Sequence, residues 1–294
     1  MIDRRTFLAA SSALIVGCSA PPPEAAAEEE KADPRFEAIR ATLGPGGRLG
    51  VAALDTGSGA VVGLDAHSRY AMASTFKLPL AAAVLAQADR RVLRLADELK
   101  FDPGKPLDNS PVTQQNLSRG RLSIEALSAA IVQHSDNSAA NLLLRRIGGP
   151  EALTAQLRAW ADAETRIDRE EMALNSNLPG DPRDTTTPAA MAGVVRKMVL
   201  GDVLSPAARE RLVRWLRTSV PGPDRLPAGL PDNWQVGHKT GTGANGALND
   251  VAVAWRPHGA PIVIACYQSG GTAERKVRAA AHASVARLVA ETFA

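Results

Sequence analysis

Apolar residues form short strand-like runs near both ends of the chain and longer helix-like runs between them. Residues 49–54 and 60–64 are apolar-rich and are separated by Asp-Thr-Gly-Ser-Gly, which is typical of a β-hairpin. Strands are also predicted near the C-terminus, at residues 234–242, 250–256 and 262–267. Helices are predicted at residues 74–90, 122–147, 151–161, 187–200, 206–218 and 273–293.

Strands at both ends of the chain, with helices between them, predict a sheet built from two separated segments. We expect an α/β (α+β) fold in which an antiparallel sheet, flanked by helices, clasps an all-α insertion. Within a folded domain at residues 34–294, the α/β part would span about residues 34–70 and 220–294, and the all-α part about residues 71–219. The functional site is expected between the two parts, where pockets commonly lie.

The overall composition is that of a globular protein. Of the 294 residues, 45% are hydrophobic and 22% are charged, which argues against a disordered chain. The formal net charge is +3, from 34 basic and 31 acidic residues, and there is no dense run of Lys or Arg. This charge pattern gives no reason to expect a nucleic-acid partner. No apolar stretch is long enough to span a bilayer.

The N-terminal residues predict export followed by a tether. An Arg-Arg pair at positions 4 and 5 before an apolar run resembles a twin-arginine signal, and the run ends in Leu-Ile-Val-Gly-Cys18, which resembles the lipobox of bacterial lipoproteins. Residues 1–18 are therefore interpreted as an export signal, with Cys18 lipidated and the protein periplasmic and membrane-anchored. The alternative is an ordinary signal cleaved after Ala20. Residues 19–33, rich in Pro, Ala and Glu, are interpreted as a flexible tether.

Four polar motifs stand out because of their order: Ser74-Thr75-Phe76-Lys77, Ser135-Asp136-Asn137, Glu171 with Asn175, and Lys239-Thr240-Gly241. A serine hydroxyl is a poor nucleophile at neutral pH and needs a neighbouring base. In a helix, Ser74 and Lys77 lie one turn apart on the same face, so the lysine can be that base or part of a proton relay. A single S-x-x-K motif is common on solvated helix faces, whereas the complete ordered set is rarely produced by chance.

The motifs S-x-x-K, S-D-N and K-T-G together are the signature of class A β-lactamases and penicillin-binding proteins. The chain resembles a class A serine β-lactamase from about residue 35 to the C-terminus. Its most specific stretch, residues 166–188, is similar to the omega loop of that family, which carries the carboxylate for deacylation. Penicillin-binding proteins share the short motifs but lack this loop, so the loop distinguishes the two families.

The resemblance implies that Ser74 attacks the lactam carbonyl of a β-lactam substrate. The backbone N–H groups of Ser74 and Thr242 would bind the developing oxyanion, and losing one such donor typically raises the barrier by about 3–4 kcal/mol. Lys77, or Glu171 acting through a water, would take the serine proton, and the sequence leaves this choice open.

The same resemblance assigns roles in leaving-group protonation and substrate binding. Ser135 would hand a proton to the departing lactam nitrogen, with Lys239 lowering the free-energy cost of that relay. Asn137 would bind the side-chain amide of the substrate. Thr240-Gly241-Thr242 would contribute to the substrate site, and the Thr242 hydroxyl would contact the substrate carboxylate and help the turnover of cephalosporins.

Glu171 and Asn175 would carry the second half of the reaction. By resemblance, Glu171 holds and deprotonates the water that attacks the acyl-enzyme ester, and Asn175 fixes the position of that water. Taken alone, the pair is more typical of a charged helix or loop face, and the surrounding match at residues 166–188 favours the catalytic interpretation. Arg169 and Asp184 are expected to form the ion pair that closes the loop, and such a pair is costly to break from one side when it is buried.

Several positions depart from the family pattern. An arginine that many relatives carry after the K-T-G strand is missing, and Arg225 resembles the alternative arginine that some members use for the substrate carboxylate; otherwise it is an exposed surface residue. Asn109 stands where many members have an aromatic gate, so contacts at the substrate edge are expected to be weaker. Glu170 and Met172 replace an aromatic residue and a proline, which reduces the expected rigidity of the loop.

Cysteine usage bears on both stability and substrate range. Ala73 and Gly243 occupy the positions of a disulfide found in one carbapenem-hydrolysing branch, so strong carbapenem hydrolysis is not expected. Apart from Cys18, the only cysteine is Cys266, in an apolar run, where a buried free thiol is predicted. The folded domain is therefore expected to depend on its core for stability.

The histidines do not suggest a metal site. They lack the H-x-H or H-E-x-x-H spacing that would suggest zinc, and packing or hydrogen-bonding roles are expected for His67, His134, His238, His258 and His282. We expect neither a metal nor another cofactor.

Three functional hypotheses remain. The first is a monomeric, exported β-lactamase that hydrolyses penicillins and some cephalosporins and so confers antibiotic resistance. The second is a D-Ala-D-Ala peptidase or transpeptidase that β-lactams would acylate and leave acylated. The third is a sensor domain in which acylation of Ser74 is the signal. Glu171 and Asn175 favour the first, because the other two have no need for a deacylating water.

Overall fold

A computed structural model describes residues 31–102 and 104–293. The predicted export signal, including Cys18, lies outside the described residues. The strands are β1 (Lys31–Ala32), β2 (Arg48–Asp55), β3 (Val61–Leu64), β4 (Tyr70–Ala71), β5 (Glu98–Lys100), β6 (Arg121–Ser123), β7 (Thr185–Thr186), β8 (Gln235–Thr242), β9 (Leu248–Trp255) and β10 (Ile262–Ser269). The helices are α1 (Pro34–Ala41), α2 (Lys77–Asp89), α3 (Pro111–Gln115), α4 (Ile124–Gln133), α5 (Asn137–Arg146), α6 (Gly149–Ala159), α7 (Pro188–Val199), α8 (Pro206–Arg217) and α9 (Arg275–Phe293).

The main sheet has six strands in the order β1-β3-β2-β10-β9-β8. Strands from both ends of the chain therefore meet between β2 and β10, which pair antiparallel over their full lengths. The other pairs in this sheet are antiparallel except that of the two-residue strand β1 with β3. The predicted fold class, an antiparallel sheet built from both chain ends and flanked by helices, is confirmed. None of the helices in the described ranges combines the length and the hydropathy needed to cross a membrane.

Both faces of the sheet are covered. Along β9 and β10, alternate side chains enter two separate apolar clusters, because successive residues of a strand point to opposite faces. Val251 and Val253 face the cluster that contains the all-α part, whereas Ala252 and Ala254 face α1 and α9. Cys266 lies in this second cluster with its side chain fully buried, as predicted, and burial raises the pKa of its thiol well above the ordinary value.

Helix α2 runs through the centre of the all-α part. Its residues from Lys77 to Ala86 are all buried, so this helix is apolar on every side except at the lysine. A 3₁₀ turn at Ala73–Phe76 precedes it, so the predicted helix at residues 74–90 begins with a tighter turn than expected.

The helical pattern at residues 122–147 corresponds to two helices rather than one. Helix α4 ends at Gln133 and α5 begins at Asn137, because Ser135 adopts a left-handed backbone with φ of 59°. The Asp136 side chain then caps α5 by accepting a hydrogen bond from the N–H of Ala139 at 2.9 Å. Residues 133–138 form a polar run between the two helices, so a helix boundary signal was present in the sequence although no glycine or proline marks it.

Candidate active site

Ser74 and Lys77 lie at the junction between the sheet and the all-α part. The lysine Nζ donates to Ser74 Oγ at 3.0 Å and to the carbonyl oxygen of Ser135 at 2.8 Å. Lys77 is fully buried, and its Nζ lies 2.9 Å from Glu171 Oε1. Ala73, just before the serine, has a φ of 44°, a left-handed conformation that L-residues adopt at a cost in free energy.

Two buried lysines shape the electrostatics of the site. Burial lowers the pKa of Lys77, although the nearby Glu171 carboxylate opposes this shift. Burial, together with the positive charges of Lys77 and Arg225, lowers the pKa of Lys239 well below its ordinary value. Both ammonium groups therefore lose a proton more readily than a lysine in water, which suits proton transfer near neutral pH.

Ser135 lies between the two lysines. Its Oγ accepts hydrogen bonds from Lys239 Nζ at 3.0 Å and from Lys77 Nζ at 3.4 Å. The following Asp136 fixes this turn, because its carboxylate also accepts bonds from the N–H and the hydroxyl of Thr113, at 2.8 and 2.9 Å. The middle residue of the S-D-N motif thus orients the other two without facing the cleft itself.

Asn137 is held by three contacts of its side-chain amide. Its Oδ1 accepts a hydrogen bond from Lys77 Nζ at 2.5 Å. Its Nδ2 donates to the carbonyl oxygen of Asp108 at 2.7 Å and lies 2.9 Å from the Sδ of Met172. The amide is therefore engaged from both sides before any substrate enters.

Glu171 is buried and faces the serine. The Oγ of Ser74 donates to Glu171 Oε1 at 3.3 Å, and Asn175 Nδ2 donates to Oε2 at 2.6 Å. The Oδ1 of Asn175 is buried, and no hydrogen-bond partner for it is found among residues 31–102 and 104–293. A buried acceptor oxygen without a protein partner, on a side chain that also contacts the Glu171 carboxylate, is suited to bind a water.

The two ends of the loop that carries Glu171 are tied together. Arg169 Nε donates to Asp184 Oδ2 at 2.5 Å, and the backbone N–H groups of Asp168 and Arg169 donate to Asp184 Oδ1 at 2.7 and 2.9 Å. Only 1% of Asp184 is exposed. Glu170 lies outside this ion pair, at a position where many relatives have an aromatic residue. It forms an exposed ion pair with Arg145 at 2.5 Å.

Strand β8 lies directly against the turn that carries the serine. A Cβ at Gly241 would lie 2.6 Å from the carbonyl oxygen of Met72 and 3.2 Å from the backbone nitrogen of Thr75, so only glycine fits here. This close approach brings Thr242 beside Ser74, and both line the same cleft. The glycine of the K-T-G motif therefore has a steric cause.

Arg225 is buried rather than on the surface, with 3% of the residue exposed. Its Nη1 donates to the carbonyl oxygens of Gly241 at 3.0 Å and Asn249 at 2.6 Å, and its Nη2 donates to Thr242 Oγ1 at 2.8 Å. The guanidinium thus lies beneath the end of β8 and adds positive charge to the cleft. The alternative interpretation of Arg225 as an exposed surface residue is wrong.

The cleft has a volume of about 410 Å³. It is lined by residues from both parts of the fold: Ser74, Asn109, Ser135, Asn137, Met172, Asn175, Pro221, Gly222, Arg225, Thr240, Thr242 and Arg275. Asn109 belongs to this lining, and its Nδ2 donates to the carbonyl oxygen of Ser135 at 3.2 Å. Within the described part of the chain, no group of three or more His, Cys, Asp or Glu side chains is placed to hold a metal ion.

Three residues of the site were not anticipated from the sequence. Asn141 forms two hydrogen bonds with the backbone of Glu171, at 2.9 and 2.8 Å. It lies one turn after Asn137 on α5, so the helical spacing was an available signal. Asn249 donates to the carbonyl oxygens before the Ser74 turn, and Arg275 reaches the cleft from α9. These two come from distant segments, and nothing local in the sequence indicated them.

These contacts define the site of a serine acyl-transfer enzyme. The hydroxyl of Ser74 is within hydrogen-bonding distance of a buried amine and a buried carboxylate, either of which can take its proton. A second hydroxyl, that of Ser135, bridges two lysines and can relay a proton to a leaving group.

Comparison with known proteins agrees with this class. A model of the β-lactamase enzyme family matches residues 34–293. The chain is 42% identical over 262 residues to β-lactamase AST-1 of Nocardia asteroides. The aligned region is 89% of this chain and 84% of that protein. It is 43% identical over 247 residues to the carbapenem-hydrolyzing β-lactamase KPC of Klebsiella oxytoca. The aligned region is 84% of this chain and 84% of that protein.

Solved structures give the same result. The reconstructed last common ancestor of Gram-negative bacteria class A β-lactamases (GNCA4) superposes with a TM-score of 0.86 at 48% identity, covering 88% of this chain and 98% of that chain. A putative class A β-lactamase from Rhodopseudomonas palustris superposes with a TM-score of 0.85 at 43% identity, with the same coverage. The chain belongs to the β-lactamase enzyme family and is a class A serine β-lactamase, a hydrolase of β-lactams associated with antibiotic resistance.

Proposed function

We propose that this enzyme hydrolyses penicillins and some cephalosporins through an acyl-enzyme at Ser74, which a water activated by Glu171 then hydrolyses. The observation that carries the proposal is the position of the Ser74 hydroxyl, 3.0 Å from Lys77 Nζ and 3.3 Å from Glu171 Oε1. Because the amine and the carboxylate are both buried, they interact with the hydroxyl at a low effective dielectric.

In the acylation step, Ser74 Oγ attacks the lactam carbonyl while the N–H groups of Ser74 and Thr242 bind the oxyanion. Two groups can accept the serine proton. Lys77 lies 3.0 Å from the hydroxyl and has a lowered pKa, whereas Glu171 lies 3.3 Å from it and, by resemblance to the family, would act through a water. We keep both assignments, and the Glu171 variant described in the Discussion separates them.

The lactam nitrogen must gain a proton as the C–N bond breaks. We assign this transfer to the hydroxyl of Ser135, which can receive a replacement proton from Lys77 or Lys239. The lowered pKa of Lys239 supports this relay, because a buried ammonium group gives up its proton more readily.

Deacylation requires a water activated on the ester. Glu171 is the proposed general base, and Asn175 the residue that positions the water. The hydrogen bond of 2.6 Å from Asn175 Nδ2 to Glu171 Oε2 holds the two side chains together. The buried Oδ1 of Asn175 supports the same role, because it is an acceptor for which the described residues provide no donor and which a water can satisfy.

For substrate binding, we assign the side-chain amide of a β-lactam to Asn137 and its carboxylate to Thr240, Thr242 and Arg225. Carbapenems are expected to be poor substrates. A Cβ at Gly243 would lie 3.6 Å from that of Ala73, within the range of a disulfide, but neither position carries a thiol.

Arg225→Ala is expected to raise KM for benzylpenicillin roughly tenfold, because a charge-assisted contact is typically worth about 1.5–3 kcal/mol before solvent screening. The measurement is kcat/KM for benzylpenicillin beside its methyl ester, which has no carboxylate charge. The loss of kcat/KM should occur with benzylpenicillin, which carries the carboxylate, and not with its methyl ester. An equal loss for both substrates would show instead that Arg225 only supports the carbonyl groups of Gly241 and Asn249. An unchanged kcat/KM would refute the assignment.

The decisive test of the proposed function is intact-mass spectrometry of the wild-type enzyme with benzylpenicillin, while the penicilloic acid product is followed in parallel. We expect many turnovers per enzyme and no lasting adduct. A long-lived adduct would place the protein with penicillin-binding peptidases or sensors instead. If neither an adduct nor product appears, β-lactams are not substrates.

The sequence also supports an exported and tethered protein, which we propose to be a monomer. We propose that the twin-arginine-like signal directs export to the periplasm and that Cys18 carries the lipid anchor. Cys18→Ser is then expected to move the activity from the membrane fraction to the soluble periplasmic fraction. If it stays with the membrane, the lipid anchor is not at Cys18.

A further inference from the structure

Met172 occupies a position at the mouth of the cleft that the proposed reaction does not use. Its side chain is 46% exposed, and its Sδ lies 2.9 Å from Asn137 Nδ2. The three other methionines in the described ranges, Met72, Met191 and Met198, are buried. Met172 is therefore both a contact of the proposed substrate-binding amide and the exposed methionine of the described ranges.

The contact uses the last donor of the Asn137 amide. An asparagine amide has two N–H donors and one carbonyl oxygen. One donor is taken by the carbonyl oxygen of Asp108, and the Oδ1 by Lys77. The remaining donor points to Met172 Sδ. A substrate carbonyl that binds Asn137 must therefore take the place of the thioether.

We propose that Met172 is a specificity-determining residue, whose thioether competes with the side-chain carbonyl of acylamino β-lactams for the free donor of Asn137. The proposal rests on the proposed function, because it deepens the assignment of Asn137. A thioether is a weak acceptor and an amide carbonyl a strong one, so the substrate wins the exchange but loses part of its binding free energy.

The hydrogen bond from Lys77 strengthens both of the competing contacts of Asn137. A cation that donates to Asn137 Oδ1 polarises the amide and makes its N–H groups better donors. The competition therefore weakens the binding of β-lactams whose side chain carries an acylamino carbonyl, and it does not affect β-lactams with a free amino group at that position.

The matched variant is Met172→Leu, which keeps an apolar side chain of similar volume and removes the sulfur. We expect KM for benzylpenicillin to fall about two- to tenfold, as for the loss of one competing hydrogen bond, with kcat little changed. KM for 6-aminopenicillanic acid, which lacks the acyl carbonyl, should not change. The ratio of the two KM values is the measured quantity.

Oxidation gives the opposite test on the wild-type enzyme. Mild treatment with hydrogen peroxide transfers one oxygen to the sulfur of Met172 and releases water, which converts the weak acceptor into a sulfoxide oxygen. KM for benzylpenicillin should then rise relative to that for 6-aminopenicillanic acid. The Met172→Leu enzyme is the control and should not respond, and peptide mapping locates the modified residue.

Different outcomes reject different claims. If both substrates are turned over and neither leucine nor the sulfoxide alters the KM ratio, the proposal for Met172 is wrong and the proposed function stands. A higher KM for benzylpenicillin in Met172→Leu would also overturn it, because the thioether would then assist binding. If wild type turns over neither substrate, the proposed function itself fails.

Discussion

Glu171→Ala is expected to lower kcat for benzylpenicillin by roughly 10³-fold, the scale at which a positioned general base contributes. The variant should accumulate an adduct on Ser74, because the ester persists when no group activates the water. Acylation can continue through Lys77. The Glu171 carboxylate opposes the lowering of the Lys77 pKa, so its removal should lower that pKa further and leave more of the neutral amine.

The measurement is intact-mass spectrometry with product followed in parallel. Glu170→Ala is the matched control, because Glu170 is the neighbouring carboxylate of the same loop but pairs with the exposed Arg145. It should turn over benzylpenicillin like the wild type. If Glu171→Ala turns over normally, Glu171 is not the base for deacylation. If it forms neither adduct nor product, Glu171 is needed for acylation too, which would contradict Lys77 as the acylation base.

The central strands β9 and β10 could be predicted from the sequence because both of their faces are buried. Strands β9 and β10 are buried on both faces, so they appear as continuous apolar runs that the pattern at residues 250–256 and 262–267 identified. The break between α4 and α5 could not be predicted in this way. It depends on the left-handed backbone of Ser135, and no glycine or proline marks it.

The site residues were found through their motifs, but their mutual contacts were not. The sequence could not show that Lys77 contacts Ser135 and Asn137, which lie about sixty residues further along the chain. Such contacts depend on the packing of α2 against α4 and α5. The same applies to Met172, which the sequence marked only as a substitution that reduces loop rigidity, whereas the structure places it against the Asn137 amide.

Asp184→Ala is expected to destabilise the protein by about 3 kcal/mol, the lower end for removing one partner of a buried ion pair. The substitution leaves the N–H groups of Asp168 and Arg169 without their acceptor, and it leaves the Arg169 guanidinium with only the longer contact of 3.8 Å to Asp181. The lower end applies because the side chain of Arg169 is 19% exposed and water can solvate it in part. For a domain of this size, Tm should fall by roughly 6–12 °C.

Removing the Asp184 carboxylate should also change the kinetics, because its contacts with Asp168 and Arg169 join the two ends of the loop that carries Glu171. Deacylation should slow more than acylation, so the acyl-enzyme should accumulate well below Tm. Arg183→Ala is the control from the same loop, since Arg183 forms an exposed pair with Asp181 and should leave Tm and turnover unchanged. Asp184→Asn keeps an acceptor for the two N–H groups and should fall between Asp184→Ala and the wild type. If Asp184→Ala unfolds and deacylates like the wild type, then the ion pair does not hold the loop, and Glu171 must be positioned by its other contacts, those with Asn141, Asn175 and Lys77.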